Sequence, residues 1–312
     1  MRPGKNIIGV VGDLCLDLLV RGDVTPRYRQ EEQWVDDYEV TLGGSGAIFT
    51  SQCVKLRQPV KLAGLLGSDP FGSIILSELH RHGIPAEDIL ISPTGKTPLG
   101  LGLLRRDERA MLTCAGTYRE ITPEWVLQTG ILENIGHLHL CSFYLLPQLQ
   151  ELWTKVLPSL KAKGVTVSID TNWDPEGSWG GLPELWQHID VFLPNAQEAM
   201  AISRTSSTEA ACRDLEKKVP VTVIKDGAGG ALLCRGNGPE HFPLPPALLA
   251  EAPVADTTGA GDSFDGGFIS AWLAGASLPE CMDLGLRCGT KSTQQMGGLA
   301  GQWKSTEEGM ES

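Results

Sequence analysis

At 312 residues, with 41% apolar and 21% charged, the chain is long enough to bury a large core and too apolar to be disordered. A formal net charge of −12 opposes contact with a phosphate backbone or an anionic bilayer, so neither nucleic acid nor membrane is an expected partner. No apolar run approaches a membrane span. The run from Ile7 to Val20 is broken by Asp13 and Asp17 with no small-residue cleavage site after it, so no signal peptide is expected.

In chain order, Ile7 to Val11 reads as a buried strand. Val20 to Val40 is polar and mildly alternating. Ser45 to Leu56 has helical spacing, Val60 to Leu66 reads as a strand, and Ser73 to His82 as a helix closed by Gly83. Leu99 to Cys114 holds two strand-like runs around Arg105-Arg106-Asp107-Glu108-Arg109, a hairpin tip. Four short strands follow, at Gly136 to Cys141, Val165 to Ile169, Val191 to Leu193 and Val221 to Lys225. Helices are expected over Leu146 to Lys163, Asn195 to Ser203 and Thr208 to Lys218. This alternation predicts an α/β fold, with a doubly wound, mostly parallel sheet flanked by helices. The two polar stretches predict a small inserted β lid, about 18–42 and 96–117, on a single domain over 1–312. The polar tail from Gln302 to Ser312 is expected to be loose.

Eight cysteines lie mostly in apolar runs, with no C-x-x-C pair, which predicts a reduced, cytoplasmic protein with neither disulfide framework nor zinc site. His137 and His139 alternate along one strand and read as packing. Gly285 to Ser292 superficially has phosphate-loop spacing, but Lys291 does not directly follow Gly289, and a C-terminal helix is the expectation. Arg21, Arg27, Arg29, Arg105 and Arg109 read as solvated charge that could also meet a substrate phosphate.

Asp256-Thr257-Thr258-Gly259-Ala260-Gly261-Asp262 opens directly onto a helical run beginning Ser263-Phe264. Backbone N–H groups at small residues, added to a helix dipole, make a site for negative charge. Asp262 is then either a helix-start acid or a general base beside an anion hole. Asp13 and Asp17 follow the first strand and precede Gly43-Gly44. They can bind hydroxyls beside a bare backbone, or merely cap. Asn195 and Glu198 have the spacing of a capping box. Gly227 and Gly230 lie in a glycine-rich turn after Lys225.

The Asp256 to Asp262 segment resembles the D-T-x-G-A-G-D signature of the PfkB/ribokinase family of carbohydrate kinases. The likeness runs from about Ile8 to Gly298 and includes Gly43-Gly44 with Gly67-Ser68-Asp69-Pro70-Phe71-Gly72. It implies a ribokinase-like fold and an ATP-dependent kinase, with Asp262 as base and Gly259, Ala260 and Gly261 as the phosphoryl hole. It places Asp13, Asp17, Gly43, Gly44 and Asp170 at the sugar, and Asn195, Lys225, Gly227 and Gly230 at ATP. Glu198 is implied to act on Mg²⁺ through water, and Asp256 with Thr258 on a monovalent cation such as K⁺. Acceptor and ATP are the implied partners, and two copies could pair through the lid. The expected acceptor is a monosaccharide or related polyol. A nucleoside, keto-deoxy sugar acid or sugar phosphate is the alternative, as is a non-catalytic binding relative. Two positions depart from the family pattern. Ile48 replaces an Asn and predicts an apolar wall toward the sugar, and Asp174 replaces a basic residue.

Overall fold

The computed structural model describes residues 6–105 and 108–305. Its first half contains β1 (Ile8–Val11), β2 (Cys15–Arg21), β3 (Asp37–Gly43), α1 (Ser45–Lys55), β4 (Val60–Gly67), α2 (Pro70–Arg81), β5 (Asp88–Ser92), β6 (Leu99–Arg105), β7 (Glu108–Cys114) and α3 (Pro123–Gln128). Then come β8 (His137–Leu140), α4 (Gln150–Ala162), β9 (Thr166–Ile169), β10 (Val191–Phe192), α5 (Ala196–Ser203) and α6 (Thr208–Leu215). The chain continues with β11 (Val221–Lys225), β12 (Ala231–Cys234), β13 (Pro239–Phe242), α7 (Pro246–Glu251), α8 (Ala260–Leu273) and α9 (Leu278–Ser292).

Nine strands form one sheet in the order β13-β12-β11-β10-β9-β8-β1-β4-β5. Neighbours are parallel from β5 to β11, and β12 and β13 turn back antiparallel at the edge. All four residues of β1 are buried, as befits a central strand covered on both faces. Val11, Leu138 and Ile169 pack in one core with Val126, Leu157, Ala199 and Leu215 of α3 to α6. Val10 and Leu62 join the other with Phe49, Ile75, Phe268 and Met282 of α1, α2, α8 and α9. His137 and His139 are packed as expected. His139 stacks on Phe49 at 3.8 Å, and the imidazoles of His137 and His139 both bond to the Ser168 hydroxyl. Strand order reverses around β1, and such a switch point opens a crevice at the carboxyl ends of the strands.

A second sheet has the order β3-β2-β6-β7. Its register sorts the side chains by period two. Asp17, Leu19 and Arg21 share a face with Thr41, Glu39, Gly100, Gly102, Met111 and Arg109. Leu18, Val20, Tyr38, Val40, Leu101 and Leu112 form the opposite, apolar face. The face bearing Asp17 turns toward the large sheet. Arg21 donates to Ala255 O (3.1 Å) and Arg109 to Thr258 Oγ1 (2.9 Å). The first insertion is wider than expected: its strands start at Cys15 and end at Gly43, because only three residues separate β1 from β2. The hairpin tip at Arg106 and Asp107 lies outside the described residues.

Three expectations are corrected. α2 starts at Pro70 rather than Ser73, since Asp69 accepts from Gly72 N (3.0 Å) and Pro70 suits a first turn. The start of the tail is docked: Gln302 is buried, donates to Ile48 O (2.8 Å) and accepts from Ser51 Oγ (2.7 Å). Residues 306–312 lie outside the described part. Cys212 of α6 and Cys234 of β12 are joined by a disulfide, because helix packing brings their Cα atoms to 5.5 Å. The other six cysteines are free.

Candidate active site

The residues singled out in the sequence meet at the carboxyl edge of the large sheet, under the polar face of the second. Gly259 is the N-cap of α8, with φ 69°, a left-handed conformation that suits glycine. A Cβ there would also lie 2.9 Å from Ile48 Cδ1 and Cγ2. This overturns the expected role of Ile48. Its side chain is buried against the Gly259 turn and Gly298, so it buttresses the loop instead of walling the acceptor. The first i→i−4 bond of α8 runs from Ser263 N to Gly259 O (2.9 Å). The amides of Gly261 and Asp262 precede it and head the helix, where such groups are free for an anion.

Asp262 follows at once. Burial pushes its carboxyl up to about 7, and Asp170 pushes the same way. Lys225 pulls it down, Asp13 pushes up, and a hydrogen bond from Ser45 pulls down. The site's cation is Lys225, at the end of β11. Its ammonium would lie 3.3 Å from a Cβ on Gly261, so it sits directly behind the loop. It bonds to Asp170 Oδ2 (2.8 Å) and to both oxygens of Asp265 (3.1 and 3.0 Å). Two carboxylates against one ammonium move apart. Burial opposes ionisation of both, yet Lys225 holds Asp170 below its ordinary value while Asp265 goes well above. Asp265 was not foreseen. The available signal was an acid one helical turn after Asp262 in an otherwise apolar helix.

Asn195 and Glu198 do form a capping box. Asn195 Oδ1 accepts from Glu198 N (2.9 Å) and Glu198 Oε2 from Asn195 N (3.0 Å). Glu198 is nevertheless buried, and burial, followed by Asp170, raises it to about 7. Gly227 (φ 51°) is exposed with open space above it, whereas a Cβ on Gly230 would overlap Phe242 O. Gly230 therefore serves the β11–β12 turn. Asp174 closes its own loop, accepting from Glu176 N (2.9 Å), Trp179 N (2.7 Å) and Ser178 Oγ (3.0 Å).

Asp256 also serves its turn. Oδ1 accepts from Thr258 N (3.0 Å) and Thr258 Oγ1 (2.8 Å), and Oδ2 from Gly297 N (2.9 Å).

On the other side of the crevice the two N-terminal acids part company. Asp13 accepts from Ser45 N (3.1 Å) and Gly46 N (3.0 Å), so it caps α1 and pins the Gly43-Gly44 turn. Gly44 adopts φ 93° there, and a Cβ on it would overlap Asp13 O. Asp17 instead stands on β2. Burial raises it to about 6, against the pull of a Cys15 Sγ–H bond (3.2 Å) and of Arg109. Its carboxylate occupies a slot between Gly43 and Gly100, where a Cβ on either glycine would overlap it. Gly100 was also not foreseen.

The profile of the pfkB family carbohydrate kinases matches residues 8–304. An ATP-dependent ribose-1-phosphate kinase of Halopiger xanaduensis is 27% identical over 289 residues, 92% of this chain and 91% of that one. Among solved structures, the Arabidopsis thaliana ribokinase complexed with ribose and ATP has a TM-score of 0.79 at 24% identity, covering 97% of this chain and 96% of that one. An E. coli candidate ribokinase II in complex with ATP and Mg²⁺ reaches 0.80 at 21% identity, covering 96% of each chain.

Proposed function

The chain belongs to the pfkB family of carbohydrate kinases, and we propose that it transfers the γ-phosphoryl group of ATP to a hydroxyl of a monosaccharide or related polyol with Asp262 as the base. The observation that carries this reading is one arrangement. Asp262 lies at the head of α8 beside the Gly259–Gly261 turn, with Lys225 behind that turn, and Asp17 stands on the face of the second sheet whose Arg21 and Arg109 reach the stretch leading into the turn. The acceptor O–H gives its proton to Asp262. The acceptor oxygen bonds to the γ-phosphorus, and the bond from that phosphorus to the bridging oxygen of ADP breaks. The loop amides and Lys225 stabilise the phosphoryl oxygens. Asp17 holds the acceptor, and Gly227 leaves room for the nucleotide. The second sheet acts as a lid that keeps water from the reaction.

Mg²⁺ fits the chain's own donors. The acids around Lys225 outnumber it, and Glu198 commits only Oε2 to its cap, leaving Oε1 for a metal-bound water. When bound there, the ion would neutralise charge on the phosphates. A monovalent cation beside Asp256 also belongs to this reading, because Oδ2 accepts a single bond and keeps a lone pair. Thr258 fits less well, since its hydroxyl already bonds to Asp256 and Arg109.

The apolar outer face of the second sheet, with Tyr38 66% and Leu112 58% exposed, supports a homodimer through the lid. Sedimentation over a concentration series checks it. Among the described residues no helix is long and apolar enough to cross a membrane. We place the enzyme in the cytoplasm, where ATP is supplied.

Asp262→Asn tests the central claim. Turnover should fall about 10²–10⁴-fold with ATP affinity nearly unchanged; a variant keeping a tenth of wild-type turnover at saturating acceptor would remove Asp262 as base. One observation favours a second reading, an anionic acceptor such as a sugar phosphate or sugar acid. Arg109 faces the crevice near Asp17 and holds one neutral partner, Thr258, in the described structure. Coupled assays with ribose, ribose 1-phosphate and a keto-deoxy sugar acid separate the two.

A further inference from the structure

No step of phosphoryl transfer uses the segment Gly67-Ser68-Asp69-Pro70-Phe71-Gly72, which joins β4 to α2 at the carboxyl edge, beside β1. Asp69 bonds in two directions there. Oδ1 accepts from Gly72 N (3.0 Å) and caps α2. Oδ2 accepts from Thr97 N (2.7 Å), two residues before β6 of the second sheet. Burial pushes this carboxyl up, but the amides of Gly72 and Thr97 hold it below its ordinary value. Thr97 returns the contact, since its buried hydroxyl accepts from Gly67 N (3.0 Å). Asp69 and Thr97 thus form a two-way clasp between the end of β4 and the start of β6.

The two glycines leave room for it. A Cβ on Gly67 would lie 2.5 Å from Gly95 O and 2.6 Å from Thr97 N, and one on Gly72 would overlap Gly67 O. The returning strand is fastened at the same place. Thr117, just past β7, donates from N to Lys96 O (2.9 Å) and from Oγ1 to Leu65 O of β4. Both ends of the β6–β7 hairpin therefore meet the large sheet at the end of β4. Three residues beyond Thr97, Gly100 borders the slot that holds the carboxylate of Asp17.

We propose that Asp69 and Thr97 are positioning residues for the acceptor site: their clasp fixes where the β6–β7 hairpin leaves the large sheet and, through Gly100, where the carboxylate of Asp17 rests. The inference rests on the roles proposed for Asp17 and for the second sheet as a lid. A helix cap needs one side-chain oxygen, and a serine would supply it. The second oxygen of Asp69 serves a residue 28 positions away that is no part of α2. With the clasp open, the hairpin and its slot can shift, and small displacements of a binding group cost about tenfold or more. A loosely seated lid also admits water to the nucleotide.

Asp69→Ser separates the two duties, because serine caps a helix about as well as aspartate but has one short oxygen and cannot also reach Thr97 N. Hydrogen exchange read by mass spectrometry needs no acceptor. In this variant it should quicken about tenfold around Thr97 and Thr117 while α2 keeps its protection. The acceptor KM, measured with whichever of ribose, ribose 1-phosphate and a keto-deoxy sugar acid is turned over, should rise about tenfold. The ATP KM should stay within a factor of about two, and acceptor-free ATP hydrolysis should rise several-fold relative to transfer. Thr97→Val deletes only the hydroxyl that receives Gly67 N and should move the same readouts by less; Thr97→Ser should restore them. If Asp69→Ser does not fold, the Thr97 pair decides alone. An unchanged acceptor KM with no added ATP hydrolysis would overturn the positioning role and leave Asp69 as a cap, even where local exchange quickens. Equal rises in the acceptor and ATP KM would overturn it as well, since they mark a general loosening. Failure of the underlying reading shows separately: Asp17→Ala with an unchanged acceptor KM would withdraw Asp17 from the acceptor site, whereas the exchange result at Thr97 would stand.

Discussion

The carboxyl edge of the large sheet and the inner face of the second sheet both carry buried acids, and they hold them by different means. At the edge the acids around Asp262 are tied to backbone amides or to one ammonium. Asp13 grips α1, Glu198 closes a capping box, and Asp170 with Asp265 encloses Lys225. On the second sheet Asp17 has a weak thiol donor and a slot between two glycines. The edge is pre-organised before any ligand arrives, and pre-organised charge is what phosphoryl transfer requires. The second sheet leaves its carboxylate with bonding capacity to spare, which suits the hydroxyl-binding role proposed for Asp17.

The largest effect should come from breaking the edge. Lys225→Ala removes the one cation shared by two buried acids. Loss of a partner from a buried ion pair typically costs about 3–5 kcal/mol, because the remaining charge is uncompensated. The sign with pH is definite. In the wild type Lys225 holds Asp170 below its ordinary value, a contribution present above the unfolded pKa and lost as pH falls. Without Lys225, burial raises Asp170, so the folded state disfavours its charge and the penalty grows with pH. Urea titrations at pH 5 and pH 8 should therefore show the larger deficit at pH 8. An equal deficit at both would mean that Lys225 acts through packing of its stem.

An intermediate effect should come from the second sheet. Gly100→Ala puts a methyl where the carboxylate of Asp17 now rests. The acceptor KM should rise about tenfold or more, since small misplacements at a site cost that much, while the ATP KM stays within a factor of two or so. Parallel rises in both constants would show that the second sheet senses nucleotide and acceptor together and would erase the contrast drawn above.

That contrast also explains what the sequence made legible. The Asp256 to Asp262 loop is local: seven consecutive residues fix a turn and a helix start and put Asp262, the proposed base, at its head, so the turn and the helix start could be read in order. The short strands at Gly136 to Cys141, Val165 to Ile169 and Val221 to Lys225 were legible for the same reason, since each is a compact local run rich in apolar and β-branched residues. What escaped is whatever depends on residues far apart in the chain. Asp265 gains meaning only because Lys225 lies 40 residues away in sequence and 3.0 Å away in space. Gly100 matters only because β6 pairs with β2 in parallel, and no local signal announces that register. Ile48 was assigned to the wrong neighbour for the same reason: helical spacing gave its helix but not that it would meet Gly259 and Gly298. Cys212 and Cys234 are 22 residues apart with a strand between, so nothing in their spacing suggests a pair.

The smallest effect concerns the seam between the two regions, where Arg21 and Arg109 reach the stretch Ala255 to Thr258. Turnover should rise in K⁺ relative to tetramethylammonium at equal ionic strength. K⁺ takes many oxygen ligands of low charge, and the seam offers carbonyls together with the unspent lone pair of Asp256 Oδ2. The stimulation should be modest, a few-fold at most, because Asp256 already ties Thr258 and Gly297 without an ion, which pre-orders the turn leading to Gly259. A bound cation would add only the last stiffening of the amides at the head of α8. Asp256→Asn keeps the acceptor oxygen needed for part of the turn but removes the charge. It should therefore abolish the K⁺ response while leaving more basal turnover than Asp262→Asn. Identical rates in K⁺, Na⁺ and tetramethylammonium would assign Asp256 wholly to its turn and leave the protein groups alone to order the loop.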